Sequence, residues 1–442
     1  MQTSTRRGNM RFVSYCLLLL VVVLGVACSN GDGARRVSND PPRPHVDLND
    51  GDVATDILKV FGRPATDPSF LGCETGAYPP TNTLPPPDEY LINLDLPPEY
   101  RWVQVAEEKG MLVSAMLNNL KNYTLSLFGG ELFSYVDALM PLLGRTLPPP
   151  FRDEMRGMSE ISGIPFGELV LYNVFYELFT VCTSILAQDT ANDLLFHARN
   201  LDFGLFLGWD AKNQTWLTTE FLRPLVIKLT FTRGNRTIFQ SVNFAGYIGI
   251  LTGLKKDAFS LTINERFNIK GGFFGVLEWI LGKKDIKWLG FLTREVMENA
   301  TSYEEAKALL TKSALLAPAY YILGGVRPGQ ACVITRGQRK ADVLSLGLGN
   351  GGGQKNSSSN WYLVQTNYDH WKEPPFWDDR RKPAITCMDK FGPKEVGFSS
   401  LYNVLSTRPV FNKLTTYTAL MQVATGEMEI YIKDCHSPCW PW

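Results

Sequence analysis

The spacing of hydrophobic and polar positions changes near residue 180. Before that point, apolar residues recur with helical spacing, which predicts helices at 101–120, 129–143 and 150–180. The third helix is interrupted near Gly163, and Pro165 is suited to the first turn of the part that resumes there. The 16-residue stretch PFGELVLYNVFYELFT keeps the helical pattern up to Thr180. From Thr183 onward, hydroxyl, β-branched and aliphatic residues predominate, which indicates a change from helix to strand.

The rest of the chain alternates between strand-like and helix-like groups of segments. Strands are predicted first, at 183–189, 194–200, 224–233, 236–243, 247–253 and 257–264. Helices are predicted next, at 272–283, 287–299 and 302–312, the last with a capping-box-like start at Ser302. Further strands are predicted at 319–324, 331–336, 341–346 and 361–366, then helices at 378–389 and 397–406, then a hairpin at 416–423 and 428–433. This order predicts an α+β fold with two packed sheets flanked by helices.

The beginning of the chain has the pattern of a secretory leader. Arg6, Arg7 and Arg11 are followed by an apolar stretch from Phe12 to Val26, which is the arrangement of a signal peptide. A signal anchor is the alternative, but the apolar stretch is short for the bilayer core. We therefore predict a signal peptide at 1–28, followed by a polar, disordered segment at 29–62. The proline-rich segment 79–98 contains one short strand-like stretch and is predicted to lie extended on the surface.

Composition narrows the class of protein. The 442 residues include 44 Lys and Arg and 44 Asp and Glu, so the formal net charge is zero. This balance gives no indication of nucleic-acid binding. Hydrophobic residues make up 45% and aromatic residues 12%, as is typical of a folded globular protein. Five Asn-x-Ser/Thr sequons, together with the leader, favour a glycosylated protein of the secretory pathway: Asn122, Asn213, Asn235, Asn299 and Asn356.

Cys182 lies where the hydrophobic pattern changes and is the main candidate for chemistry. A cysteine in an apolar segment is more often an ordinary core residue. If the chain were cut between Val181 and Cys182, however, the thiol would gain a free α-amine beside it as a proton acceptor. That is the N-terminal-nucleophile arrangement for cleaving amides. The four histidines show no metal-ligand spacing, and no GxSxG motif indicates a serine nucleophile. The turns at Gly246-Tyr247 and Gly324-Gly325 lack the GxGxxG spacing of a phosphate loop, and no cofactor is expected.

The sequence around Cys182 resembles a known family. The motifs that carry the resemblance are FTVCTSILAQD, FHARNLDFGLFLGWD, FAGYIGILTG, LTINERF, EWILGKKDIKWLGFLTR, LAPAYYILGG, VQTNYDHW, DDRRKPAITC and KDCHSPCWPW. They are similar to the acid ceramidases, lysosomal enzymes that hydrolyse ceramide to sphingosine and a fatty acid. These belong with the cholylglycine-hydrolase-like N-terminal-nucleophile amidases. The similarity runs from about residue 63 to the end of the chain.

The resemblance implies a fold and a way of processing the chain. The expected fold is the αββα sandwich of N-terminal-nucleophile hydrolases, with a mostly helical N-terminal α subunit. Self-cleavage before Cys182 would give an α subunit at 63–181 and a β subunit at 182–442. One residue more than the usual family spacing lies between Cys182 and Arg199. It falls in the turn-like patch 190–193, which predicts a longer hairpin loop and an intact site.

Five further residues match the active-site pattern of the family. Arg199 would favour the thiolate, and Asp202 would orient the α-amine if a local bend brought the two together. Asn367 matches the oxyanion-hole residue, while Glu265 and Arg380 match other active-site positions. Each also has an ordinary explanation, such as a surface ion pair, an Asn that ends a strand or a solvated charge. A free α-amine has a pKa of ~7.7–8, above lysosomal pH. Either the pKa of this amine is lowered in the protein, or the amine acts as an ammonium beside a thiolate.

The cysteines allow disulfides in an oxidising compartment. Cys332 lies in an apolar strand-like segment and is expected to be a buried free thiol. Sequence alone cannot fix connectivity. The resemblance implies the pairs Cys73–Cys387 and Cys435–Cys439, the first of which would join the two subunits into a heterodimer.

The resemblance also implies binding partners, and two alternative functions remain open. It implies ceramide in membranes, a saposin-type activator and anionic lipid, which Lys283, Lys284 and Lys287 could meet. It implies a lysosomal location, with possible secretion. The nearest rival is an N-acylethanolamine acid amidase, which shares the cysteine, RNLD and TNYDHW patterns. A rival from another class is a non-catalytic secreted glycoprotein that binds lipid and keeps Cys182 buried.

Overall fold

The structure is a computed structural model that describes residues 70–81, 84–128, 140–176, 180–203, 209–210, 212–266, 275, 278–279, 282–347, 361–375, 378–436 and 439. The predicted signal peptide, the segment 29–62 and the sequon at Asn356 lie outside the described residues. Most of the predicted helices at 129–143 and 272–283 also lies outside them, although residues 140–146 are helical.

The described strands and helices follow the predicted alternation. The strands are β1 (Asp88–Asn93), β2 (Thr180–Asp189), β3 (Leu194–Phe203), β4 (Trp209–Asp210), β5 (Thr215–Trp216), β6 (Val226–Arg233), β7 (Arg236–Phe244), β8 (Thr252–Lys255), β9 (Phe259–Glu265), β10 (Ala319–Gly324), β11 (Ala331–Arg336), β12 (Ala341–Ser345), β13 (Tyr362–Gln365), β14 (Thr415–Gln422) and β15 (Glu427–Ile432). The α-helices are α1 (Val103–Phe128), α2 (Phe151–Ser162), α3 (Phe166–Tyr176), α4 (Leu217–Leu222), α5 (Leu289–Asn299), α6 (Tyr303–Lys312), α7 (Arg381–Phe391) and α8 (Phe398–Ser406).

Two large sheets form the centre of the molecule. One has the order β1-β6-β7-β8-β9-β10-β11-β12, and the other has the order β13-β2-β3-β14-β15. Their facing surfaces are joined by polar contacts as well as apolar ones, such as Ser184 Oγ to Thr262 Oγ1 at 3.0 Å. Helices α5 and α6 pack on the first sheet, and α7 and α8 on the second. The order of layers is therefore αββα, as the resemblance implied.

The segment before Cys182 is built into this sandwich. Strand β1 pairs in parallel with β6 along its whole length and becomes an edge strand of the larger sheet. The short strand predicted in the proline-rich segment is therefore present, but it belongs to the sheet rather than lying on the surface. On the opposite side, the disulfide Cys73–Cys387 attaches the segment to α7. The N-terminal segment is therefore joined to both halves of the fold.

A buried ion pair makes a third connection to the N-terminal segment. Arg294 of α5 donates to both carboxylate oxygens of Glu154 in α2, at 3.0 and 3.1 Å, and both side chains are fully buried. Trp102 Nε1 donates to the same carboxylate at 2.7 Å. A buried charge is tolerated only when it is paired and hydrogen-bonded, and these contacts meet that need.

The predicted strand at 247–253 is wrong for most of its length, because β8 begins only at Thr252. The preceding residues form a buried loop whose main-chain groups bind side chains instead of a neighbouring strand. Asn243 Nδ2 donates to the carbonyl of Gly249 at 2.7 Å, and Arg294 donates to that of Ile248 at 2.9 Å. Apolar residues in sequence cannot distinguish a buried loop of this kind from a strand.

The change from helix to strand lies earlier than predicted. Strand β2 begins at Thr180 rather than at Thr183. Cys182 is therefore inside a strand and not at its first residue. The hairpin that follows agrees with the prediction, because residues 190–193 form its turn and Asp189 accepts hydrogen bonds from two of their main-chain N–H groups.

Candidate active site

Cys182 lies on β2, an inner strand of the smaller sheet. Strand β2 is flanked there by β3, with Val181 opposite Asp202 and Cys182 opposite Leu201. The Cys182 side chain is fully buried, and Val181 is only 4% exposed. The bond predicted to be cut is therefore an internal peptide bond of a central strand, closed to any external substrate while the chain is intact.

Arg199 lies beside the thiol. Its Nη2 is 2.5 Å from Cys182 Sγ. The larger sheet holds the guanidinium in place, since Nη1 donates to the carbonyl of Leu251 at 2.8 Å and to Thr252 Oγ1 at 2.9 Å. Burial raises the pKa of the Cys182 thiol, whereas the positive charge of Arg199 opposes that rise. Arg199 is thus placed to favour the thiolate.

Asp202 approaches from the other face of β3. The local bend that we expected is absent, because β3 runs without a break from Leu194 to Phe203. Residues three apart on a strand lie on opposite faces. The Asp202 carboxylate accordingly faces away from Arg199, accepting from Thr415 Oγ1 at 2.6 Å and Asn412 Nδ2 at 3.4 Å. Burial raises the pKa of Asp202 to about 6, although these bonds oppose the rise.

Arg380 and Asn367 meet at the main chain of Cys182. Asn367 Oδ1 accepts from the Cys182 N–H at 2.9 Å, and Arg380 Nη1 donates to the Cys182 carbonyl at 2.8 Å. The two side chains also bind each other, with Arg380 Nη2 donating to Asn367 Oδ1 at 2.8 Å. Both polar groups of the Cys182 main chain are therefore engaged by residues predicted for the site. Arg380 also lies 3.5 Å from the Asp202 carboxylate.

Glu265 joins this arrangement through its main chain. Asn367 Nδ2 donates to the Glu265 carbonyl oxygen at 2.8 Å. Glu265 ends β9, and Asn367 follows β13, so the contact joins the ends of strands from the two sheets. Glu265 and Asn367 are 102 residues apart in sequence. Cys182, Arg199, Asp202, Glu265, Asn367 and Arg380 thus form one cluster.

Several residues of the cluster were missed by the sequence analysis. Asp378 binds Arg380 through both oxygens, at 2.8 and 3.1 Å, and itself accepts from the Tyr368 hydroxyl at 2.8 Å. The acidic pair before Arg380 in DDRR was an available signal. Asn412 and Thr415, which bind Asp202, are more than two hundred residues from it, and no local pattern indicates them.

The other predicted sites can be located on the surface or in the core. The structure contains the disulfides Cys73–Cys387 and Cys435–Cys439 that the resemblance implied, and Cys182 and Cys332 are free and buried. The four sequons within the described residues are exposed: Asn122, Asn213, Asn235 and Asn299. Two of the three lysines expected to meet lipid form ion pairs, Lys283 with Glu278 and Lys287 with Glu295.

The described residues contain no group of three or more His, Cys, Asp or Glu side chains arranged to hold a metal ion. No helix in this part of the chain combines the length and apolarity needed to cross a bilayer.

Comparison with protein families identifies two matching regions. Residues 182–392 match the linear amide C–N hydrolases of the choloylglycine hydrolase family. Residues 85–147 match the beta subunit of N-acylethanolamine-hydrolyzing acid amidase. The first match begins at Cys182 itself.

Individual relatives agree with the family match. The chain is 49% identical to acid ceramidase of Homo sapiens over 377 residues, which cover 84% of this chain and 92% of the relative. It is 46% identical to acid ceramidase of Mus musculus, over 84% of this chain and 93% of the relative. Among solved structures, a Caenorhabditis elegans N-acylethanolamine-hydrolyzing acid amidase ortholog is 30% identical, with a TM-score of 0.45, over 55% of this chain and 93% of that one.

The match to the choloylglycine hydrolase family and the identity to the two acid ceramidases identify a family of hydrolases, which argues against a non-catalytic lipid-binding glycoprotein. The extent of the identity to the human and mouse proteins, over nearly their whole length, establishes the relationship. The chain belongs to the acid ceramidase family of N-terminal-nucleophile amide hydrolases.

Proposed function

We propose that this enzyme hydrolyses the amide bond of ceramide to sphingosine and a free fatty acid, with Cys182 as a self-exposed N-terminal nucleophile. The observation that carries the proposal is that the sulfur and both main-chain polar groups of Cys182 are bound by residues of the site. Arg199 lies at its sulfur, Asn367 at its N–H and Arg380 at its carbonyl. The names of the relatives support ceramide as the substrate.

The first reaction cuts the chain itself. The Cys182 sulfur attacks the carbonyl carbon of Val181, the C–N bond breaks, and the Cys182 nitrogen takes up a proton to become an α-amine. Water then hydrolyses the thioester and releases the Val181 carboxylate and the Cys182 thiol. The complete burial of Cys182 in the intact chain supports an order in which cleavage precedes catalysis.

The freed α-amine then acts as the proton carrier for ceramide hydrolysis. Asn367 Oδ1, which accepts from the Cys182 N–H in the intact chain, is placed to accept from the α-amine as well. Asp202 lies on the other face of β3 and helps to orient the α-amine through its contact with Arg380. The amide group of Asn367 supplies a donor for the oxyanion, a role worth about 10²–10³ in rate at other enzymes. Glu265 fixes this amide through its carbonyl.

Cleavage would leave two chains that remain attached. The α subunit spans 63–181 and the β subunit 182–442, after removal of a signal peptide at 1–28. Three features support a stable heterodimer: the disulfide Cys73–Cys387, the pairing of β1 with β6, and the buried Glu154–Arg294 pair. The separate family matches before and after Cys182 are consistent with this division.

The surroundings of the enzyme follow from the same proposal. The four exposed sequons support glycosylation in the secretory pathway and delivery to the lysosome, with some secretion. Ceramide would be taken from membranes with the help of a saposin-type activator and anionic lipid.

A second candidate substrate class is the N-acylethanolamines, which the match of residues 85–147 favours. The two can be separated by assaying a ceramide and an N-acylethanolamine of the same acyl length on one preparation, with Cys182→Ala as the inactive control. We expect faster turnover of the ceramide. Faster turnover of the N-acylethanolamine would overturn the proposed substrate.

A further inference from the structure

Three consecutive residues at the end of β9 each bind the segment that carries Asn367. Asn264 donates through Nδ2 to the main-chain carbonyls of Gln365 at 2.9 Å and Thr366 at 3.3 Å. The next residue, Glu265, accepts from Asn367 itself at 2.8 Å. These contacts attach the end of a strand in the larger sheet to the last residue of β13 in the smaller sheet and to the two residues that follow it.

Arg266 provides the third attachment. Its Nε donates to Asp369 Oδ1 at 2.6 Å, and its Nη2 donates to Oδ2 at 2.9 Å. Such a bidentate ion pair fixes the orientation of the Asp369 carboxylate as well as its distance from Arg266. Tyr320 reinforces it by donating its hydroxyl to Asp369 Oδ1 at 2.8 Å. Asp369 lies two residues after Asn367, so the segment is held on both sides of that residue.

The ion pair is suited to an acidic compartment. Burial acts to raise the pKa of Asp369, but hydrogen bonds from Arg266 and Tyr320 outweigh it and leave the pKa below its usual value. Lys372 lies 3.4 Å from the same carboxylate and also favours its charged form. The carboxylate therefore stays ionised, and Arg266 keeps its partner, at acid pH.

Asn264 also connects to the strand of the nucleophile. Ser184 Oγ donates to Asn264 Oδ1 at 3.0 Å and lies 3.0 Å from Thr262 Oγ1. His197 Nε2 is 3.1 Å from the same Thr262 hydroxyl. Burial lowers the pKa of His197 to about 3, so this network between the sheets stays uncharged in acid. Ser184 is two residues beyond Cys182 on β2, on the same face of the strand.

We propose that Asn264 and Arg266 are positioning residues that hold the main chain around Asn367 so that its side chain meets Cys182. The inference rests on the proposed function and adds residues that do not touch the reacting atoms. The contact to be preserved is the 2.9 Å hydrogen bond from the Cys182 N–H to Asn367 Oδ1. A displacement of about 1 Å breaks a bond of this length and can lower the rate by ~10²-fold.

Arg266→Gln, Asp369→Asn and the double variant test the proposal. Arg339→Gln is the matched control, because Arg339 lines the same surface groove but pairs with Asp285 at 3.4 Å, both more than half exposed. The measurements are kcat and KM for amide hydrolysis, the rate of self-cleavage, and Tm. We expect Arg266→Gln to lower kcat and self-cleavage roughly tenfold to 100-fold, with KM within about twofold.

The double variant should be little worse than either single variant, because each single change already breaks the same pair. Losses that multiply in the double variant would overturn the proposal. So would a normal kcat per folded molecule in Arg266→Gln, because the pair would then serve only stability. Asn264→Ala is a second variant. Asn264 is fully buried, so this change can prevent folding. The Arg266 side chain is part-exposed, so the Arg266→Gln variant decides the outcome in that case.

The wild-type protein separates failure of this inference from failure of the proposed function. A wild-type chain that cuts itself but hydrolyses neither amide class contradicts the proposed substrate, and the self-cleavage rates then decide the role of Arg266. A wild-type chain that neither cuts itself nor hydrolyses an amide contradicts both proposals.

Discussion

Arg380 fixes the orientation of the Asn367 side chain. Arg380 Nη2 donates to Asn367 Oδ1 at 2.8 Å, and the Cys182 N–H donates to the same atom at 2.9 Å. Because both partners are donors, that atom is the amide oxygen, and the NH₂ group is directed to the Glu265 carbonyl. The orientation proposed to serve both the α-amine and the oxyanion is therefore already set in the intact chain.

Arg199→Gln should slow self-cleavage. Burial raises the pKa of the Cys182 thiol, and removing the Arg199 charge removes an effect that opposes the rise. Less thiolate would then be present at any pH, and we expect cleavage to slow by roughly tenfold to 100-fold. The cut fraction can be followed over time on a denaturing gel.

Arg199→Lys is the control for this prediction. It keeps the positive charge but cannot reproduce the contacts of the guanidinium with both Leu251 and Thr252. An intermediate rate is expected. Cleavage of Arg199→Gln at the wild-type rate would show that the contact with sulfur does not assist the thiol.

Asp202→Asn should change how stability depends on pH. Burial raises the pKa of Asp202 to about 6, from its usual value of 3.8. The folded protein then holds this proton more tightly than the unfolded chain. Its contribution to stability is full below pH 3.8 and is lost as the pH rises through about 6. Asparagine has no such proton to lose.

The measurement for Asp202 is the free energy of unfolding from acid to neutral pH, with both chains carrying Cys182→Ala so that neither is cut. Relative to Asp202→Asn, the aspartate chain should lose on the order of 3 kcal/mol, as expected for a shift of about two pKa units. A difference between the two chains that stays constant with pH would refute the prediction.

Glu154→Gln should destabilise the fold strongly. It leaves the fully buried Arg294 without its charged partner in α2, although Glu298 still binds the guanidinium at 2.7 Å. Removing one partner of a buried pair costs about 3–5 kcal/mol. The neighbouring Asp153→Asn is a matched control, because its ion pair with Arg152 is part-exposed and is worth about 1 kcal/mol or less.

Denaturant unfolding of both variants in the Cys182→Ala background gives the two free energies. Similar small losses in the two variants would mean that the buried pair does not hold the N-terminal segment in place. A large loss confined to Glu154→Gln is the expected result.

The sequence predicted the elements better than it predicted their contacts. Helices such as α2 and α8 and strands such as β3 followed from the spacing of their apolar residues, because those residues pack into the core. The predicted strand at 247–253 was wrong because Asn243 and Arg294 bind the main chain of a buried loop. Side chains that substitute for a neighbouring strand leave no periodic signal in the sequence.

The candidate site shows the same limit. Cys182 and Arg199 were identified from their motif. The bend that we expected between Arg199 and Asp202 is absent, because the two side chains lie on opposite faces of the unbroken strand β3 and approach Cys182 from different sides. Asn412 and Thr415 reach Asp202 only through the pairing of β14 with β3. Their roles depend on folding and could not be inferred locally.

The most direct test of the account is N-terminal sequencing of the purified protein after incubation at acid pH, with Cys182→Ala in parallel. The account predicts a new chain that begins at Cys182 and is absent from the variant. An intact wild-type chain, or a cut at this bond that persists in Cys182→Ala, would contradict self-cleavage by this thiol.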